Sequence, residues 1–366
     1  MRQSPLAAAL LVALGFHLAA AEGVETLSTL LDADDACLAG DQAACSVSLL
    51  QRRGKDSANT TDSEQSGRRR RGGGNLGGDA AGPQPTAAEL ETFAAVVERL
   101  WKIDAPYRLM PGQDYKLNQQ ARAASLQSAT DSAPGPLFKS VNLVKLQSQP
   151  CARRFIGLLD DYERDTGKAE KVTSQEERDV QAFVQELMQT PHMQYIYNVL
   201  VAWGTIKPGY SAFGSQVQKI WFTHYALKSR GPKVSSGFEH VFVGEEKYDS
   251  RKKQSTIIGL HNWIQFYEEE KKGNIDYRGY VGSLSKGHDQ LVSVRFAWDD
   301  DDPAVEMKSV SSMLVGSSVP FEFAMLTGAF LGFGGKAEVS GIYFGDVGPA
   351  KITSFDWKAP EGQLIR

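Results

Sequence analysis

The sequence predicts an α+β fold, a helical N-terminal half followed by a half of antiparallel β-sheets. Three observations predict it. Between residues 85 and 232 apolar residues recur at three- and four-residue spacing. From 233 to 366 they alternate in short runs broken by Gly, Asp and Pro. Helices come first and strands after, which excludes the regular alternation of a parallel α/β sheet.

The chain opens with Arg2, an apolar run over 6–18 interrupted by His17, and Ala19-Ala20-Ala21. This pattern predicts a signal peptide over 1–21, too short for a stable bilayer span, and a secreted or endomembrane-lumen protein. Residues 22–50 hold a short helical pattern (Val24 to Leu31) and Cys37 and Cys45, which can pair in an oxidising compartment and leave Cys151 as a small buried thiol. Residues 51–84 carry almost no large apolar side chain and predict a disordered linker. It contains the glycosylation sequon Asn59-Thr60-Thr61 and the run Arg68-Arg69-Arg70-Arg71. That run reads as a solvated charge cluster, then as a processing site, then as an RNA-tethering arm.

The compact domain is expected over 85–366. Ala87 to Trp101 predicts a helix with Leu90, Phe93, Val97 and Leu100 on one face. Helices follow over Phe155 to Arg164, Ser174 to Met188, His192 to Trp203 and Ser215 to Leu227, the second with Ser174 as N-cap and Glu177 closing a capping box. Strands are expected over Phe238 to Val243, where Phe238, His240 and Phe242 alternate with their neighbours. Further strands are expected over Val292 to Trp298, Ser317 to Leu326, Glu338 to Phe344 and Lys351 to Trp357.

The formal net charge is -4, which excludes a global basic field, so any nucleic-acid contact rests on a local patch. Arg251-Lys252-Lys253, with Lys247 nearby, reads first as a solvated hairpin tip and second as a contact to an RNA backbone. Only six histidines occur, and His240 and His261 lie close together in glycine-bracketed polar segments. Two imidazoles suit a phosphodiester cleavage in which one takes a proton and the other gives one. Read alone, His240 in Phe-x-His-x-Phe is ordinarily a packing residue, His261 an end-of-helix hydrogen-bonder, and Lys308 a surface lysine. His192, His224 and His288 read as surface or packing residues. Glu239 and Glu245 would share the face of a strand opposite His240, there to orient it, to bind a divalent cation or to be solvated.

Several segments in fixed order resemble one family. They are Trp101 to Asn118, Leu158 to Gly167, Ser236 to Glu245, His261 to Tyr267, Lys308, and Gly316-Ser317-Ser318 with Pro320-Phe321-Glu322-Phe323. Together they resemble the EndoU-type (XendoU-like) poly(U)-specific endoribonucleases over roughly residues 88–366. The resemblance implies cleavage of single-stranded RNA at uridine, leaving a 2′,3′-cyclic phosphate. It implies His240 and His261 as acid and base in an order left open, and Lys308 as the cation for the phosphorane. Gly316, Ser317 and Ser318 become substrate-contacting residues, and Glu239 and Glu245 supporting residues and candidate metal ligands. A divalent cation is implied, Mn2+ ahead of Ca2+. A monomer is expected. The family closes with a strand bearing a Thr and an aromatic that select uracil, and here the chain reaches Leu364-Ile365-Arg366 where that strand would be under way. Two other readings stand beside the enzyme: a secreted RNA-binding protein with weak or no catalysis, and a secreted interaction module.

Overall fold

The computed structural model describes residues 82–123, 130–227, 231–249, 254–281, 289–298, 307–360 and 362–365. The expectations for the signal peptide, Cys37, Cys45, Asn59, Arg68 to Arg71, Arg251 to Lys253 and His288 lie outside the described residues. At 82–84 the expected linker is docked, with Asn198 Nδ2 donating to the Pro83 carbonyl at 3.0 Å.

The architecture is α+β. Helix α1 (Phe93–Ile103) is followed by the short pair β1 (Tyr115–Leu117) and β2 (Phe138–Val141). Then come α2 (Leu143–Ser148), α3 (Ala152–Leu158), α4 (Ser174–Met188), α5 (Pro191–Ala202) and α6 (Tyr210–Phe222). A five-residue π-helical turn (Glu239–Val243) leads into the antiparallel hairpin β3 (Glu245–Asp249) and β4 (Gln254–Ile258). Helix α7 (Trp263–Lys272) precedes an antiparallel three-stranded sheet of β5 (Ile275–Tyr280), β6 (Leu291–Trp298) and β7 (Met307–Leu314). Helix α8 (Val319–Gly332) and two hairpins, β8 (Ala337–Phe344) with β9 (Val347–Ser354) and β10 (Asp356–Ala359) with β11 (Gly362–Ile365), complete the chain. Each half therefore holds a minority of the other element type. No described helix is long and apolar enough to cross a membrane.

Local chemistry explains where the boundaries differ from expectation. The stretch read as one helix from Ala87 breaks at Thr92, whose hydroxyl accepts from Ala95 N and caps α1. In α4 the capping box is Thr173 with Glu176, one residue earlier than Ser174 with Glu177. Thr-Ser-Gln-Glu-Glu offers both registers, and the threonine takes the cap. Helix α3 stops at Leu158 because the following segment pairs with β3: Glu246 N donates to Arg164 O at 2.8 Å and Thr166 N to Glu246 O at 2.9 Å. The Lys351 to Trp357 run is split at Phe355 between β9 and β10.

Two expected strands are helical. Ser317 to Leu326 belongs to the start of α8, with Ser318 as N-cap and Pro320 in its first turn. This helix is buried on nearly every side, so it lacks the polar stripe that marks a helix in sequence. Phe238 to Val243 forms the π turn. Phe238 and Phe242 fit strand alternation, but they are also four apart and so share one helical face. That face enters an aromatic cluster: Phe238 stacks on Phe222 at 4.9 Å, and Phe242 on Phe323 at 4.6 Å between ring centroids. Burying two phenylalanines contributes roughly 3–6 kcal/mol before entropy costs, more than strand pairing of the same few residues offers.

Candidate active site

The π turn fixes His240. Its aromatic side is pinned in the core, and Gly244 N donates to Glu239 O at 2.8 Å to close the turn. His240 is turned so that Nδ1 meets Glu245 Oε2 at 2.8 Å. Glu245 is the first residue of β3 and is itself buried. Such a carboxylate fixes the imidazole tautomer and supports the ring when it carries a proton. The expectation that Glu245 stands on the face opposite His240 is thus corrected, because the backbone here is helical rather than extended.

His261 is brought to the same place by backbone pairing. Leu260 N donates to His240 O at 3.0 Å, and His261 N to Val241 O at 2.8 Å. The pairing needs Gly259, whose φ is +68° and whose missing side chain leaves room for the His240 carbonyl. Asn262 then caps α7, accepting from Ile264 N and Gln265 N through Oδ1. Gln265 Nε2 donates to Val243 O at 3.1 Å, so α7 grips the end of the π turn as well.

Lys308 reaches this locus through a bulge in β7. Val294 pairs with Ser311 and Phe296 with Lys308, so β7 carries one extra residue opposite Arg295. Val294 and Phe296 point to one face of β6, which places Lys308 and Ser311 on that face too. The Ser311 hydroxyl donates to the Leu260 carbonyl, immediately before His261. Phe296 meets Phe266 of α7 edge-on at 5.3 Å, so α7 covers this same face. Three elements thus deliver His240, His261 and Lys308 to one region. His261 is half-buried, whereas His240 and Lys308 are 4% and 1% exposed.

Residues 92–366 match the family described as Endoribonuclease XendoU. The chain belongs to the XendoU endoribonuclease family. It is 41% identical over 248 residues to the poly(U)-specific endoribonuclease of Xenopus tropicalis, covering 65% of this chain and 80% of the relative. It is 37% identical to the uridylate-specific endoribonuclease C of Danio rerio over 66% of this chain and 77% of the relative. The solved structure described as "XendoU: a splicing independent snoRNA processing endoribonuclease" aligns with a TM-score of 0.60 and 31% identity, covering 75% of this chain and 97% of that one.

In this XendoU-family chain the Gly316-Ser317-Ser318 segment is internal. Gly316, at φ +88°, lies against the Leu109 carbonyl. Ser317 Oγ lies 2.6 Å from Leu314 O and 2.5 Å from Glu322 Oε1, and the Ser318 hydroxyl donates to Asp104. Both serines are buried with their hydroxyls committed to protein partners. Ser317 holds Glu322, which accepts from Asn262 Nδ2 at 2.9 Å next to His261, while Ser318 caps α8 and binds Asp104. No local pattern marks that link, since Glu322 and Asn262 are sixty residues apart.

Burial pushes the Glu322 carboxyl up to about 7 against the opposing hydrogen bonds from Ser317 and Asn262. An acid whose folded pKa is raised favours the protonated native state, so its contribution to stability is lost as pH rises from about 4 toward 7. Glu322→Gln is expected to remove this slope, on the order of 2 kcal/mol between pH 5 and 8. Urea unfolding of both proteins at the two pH values checks it, and equal pH dependence would refute it. Other titrating carboxyls are shared and cancel in the comparison.

The metal pair expected from the sequence, Glu239 and Glu245, is divided. Glu245 serves His240, while Glu239 stands with Glu170 and His224, whose ligand-type atoms lie within 4.8 Å of one another. Burial raises Glu239 to about 8, and burial with the neighbouring Glu239 raises Glu170 to about 7. Burial lowers His224. His224, expected as a surface or packing residue, and Glu170, which no motif marks, carry no ligand signal in the sequence, because no local spacing joins a loop residue, a helix end and a π turn. His192 is a packing residue as expected, its Nε2 3.0 Å from Asp104 Oδ1.

Proposed function

We propose that this chain cleaves single-stranded RNA at uridines, leaving a 2′,3′-cyclic phosphate. The observation that carries the reading is the pairing of the His240 turn with the His261 turn beneath the face of β7 that bears Lys308. The ribose 2′-oxygen attacks the adjacent phosphorus and the 5′-oxygen leaves. One imidazole takes the 2′ proton and the other gives a proton to the departing oxygen, so no net proton is consumed. Glu245, whose Oε2 stands 2.8 Å from His240 Nδ1, orients that imidazole and supports it when it carries a proton. Lys308 is a compact charge for a non-bridging oxygen of the phosphorane, and its burial strengthens that interaction. Uridine preference is drawn from the names of the relatives. The implied divalent cation, Mn2+ ahead of Ca2+, enters no step here.

Because the attacking group belongs to the substrate, a 2′-deoxy sugar at the scissile uridine is expected to abolish cleavage. Incubating matched oligonucleotides with the protein, with and without Mn2+ and Ca2+, reads this directly. Cleavage of the deoxy substrate at the same linkage would defeat the chemistry.

The burial of His240 and Lys308 favours a second reading, RNA binding with weak or no turnover. Retention of the uridine oligonucleotide without cleavage under any of these conditions would select it.

A further inference from the structure

We propose that Glu170, His224 and Glu239 form a binding site for a divalent first-row transition ion, separate from the His240–Glu245 pair. Three segments supply it: the loop before α4, the residue two past the end of α6, and the first residue of the π turn. Each offers one ligand atom, and the three atoms lie within 4.8 Å of one another. Donors bonded to a single ion at roughly 2 Å stand about 3–4 Å apart, so a small inward shift of these side chains would close them around one.

The second observation is Glu239 itself. It is 1% exposed, and among the described residues neither of its oxygens has a well-aligned hydrogen-bond donor. His224 Nε2 stands 3.3 Å from Oε2, also without an adequate hydrogen bond. A buried carboxylate left in this state costs several kcal/mol unless a cation or a proton satisfies it. The site also has a route to solvent. Glu170 and His224 line a cavity of about 540 Å3 whose wall carries Asp161, Glu176 and Glu177 against Lys219. A cavity with this excess of carboxylates concentrates cations at its mouth.

The donor set selects the ion. Ca2+ and Mg2+ take oxygen ligands, whereas one imidazole nitrogen with two carboxylates suits Mn2+ and its neighbours in the first row. Three protein ligands leave positions for water. The bound ion ties the loop before α4 and the end of α6 to the residue that precedes His240, so it positions the π turn without touching substrate.

The test is binding, read without RNA, so its outcome is independent of the cleavage reading. Full-length protein stripped with chelator is titrated with Mn2+, and free Mn2+ is followed by electron paramagnetic resonance. One site is expected, with Ca2+ competing weakly. Glu170→Gln and His224→Ala are each expected to weaken Mn2+ binding at least tenfold. They should also abolish the rise in melting temperature that Mn2+ gives the wild type. Circular dichroism of the stripped variants confirms folding, and His224→Asn replaces His224→Ala if the latter does not fold. Unchanged affinity in the folded His224 and Glu170 variants would overturn the proposal. So would loss of binding in Glu245→Gln alone, or absence of Mn2+ binding to the folded wild type.

Discussion

Lys308→Met and His261→Ala are each expected to slow single-turnover cleavage of a uridine-containing oligonucleotide by roughly 10²–10⁴-fold. The two residues act differently. His261 moves a proton, and a positioned general acid or base accounts for a factor of this size. Lys308 stabilises charge that appears as the phosphorane forms, so its loss falls on the chemical step more than on binding. Methionine keeps the length of the buried stem and avoids a cavity under α7, which separates loss of charge from loss of packing. Lys308→Met should therefore retain RNA affinity within a few-fold and unfold near the wild-type temperature. Rates within threefold of wild type for either variant would remove that residue from the reaction.

Gly259→Ala is expected to be as damaging, although residue 259 touches no substrate. At φ +68° an alanine is strained by about 1 kcal/mol. Its methyl group would also fall on the His240 carbonyl oxygen, so the two turns must separate. Separation breaks the bonds from Leu260 N to His240 O and from His261 N to Val241 O, and it shifts both imidazoles. A displacement near 1 Å is enough for about a hundredfold loss of rate. The variant should lose more than ~2 kcal/mol of stability and at least 10²-fold in cleavage. Gly273 supplies the control. It ends α7 at φ +84° with open space around its α-carbon, so Gly273→Ala pays the strain alone and should keep full activity. Similar behaviour of the two variants would mean that the close approach of the turns is unimportant.

What the sequence disclosed and what it concealed divide along physical lines. Helices α1, α4 and α5 were legible because each opens on a threonine cap, and α1 and α4 also keep a polar face, so their errors are confined to the ends. Helix α8 and the π turn were read as strands because each is apolar where it matters. Burial on all sides removes the periodicity that separates 3.6 from 2. His240, His261 and Lys308 could be singled out from their residue types and from the resemblance carried by the motifs around them. The means by which they meet could not be read. It depends on a bulge in β7, a glycine held at positive φ and a serine bond to a carbonyl, all products of tertiary pairing. Glu245 was legible as a neighbour of His240 but placed on the wrong face, since a helical turn reverses what a strand would do. Ser317 and Ser318 stood out as hydroxyls beside a glycine, and their partners Glu322 and Asp104 are remote in sequence.

The central claim is that a substrate hydroxyl, driven by two imidazoles and one ammonium, closes a ring on its own phosphorus. Phosphorus-31 NMR of the products from a short uridine-containing RNA tests it most directly. The account predicts the resonance of a five-membered 2′,3′-cyclic phosphate paired with a free 5′-hydroxyl on the downstream fragment. A 5′-phosphate on that fragment would contradict it, because the 5′-oxygen would then not have been the leaving group.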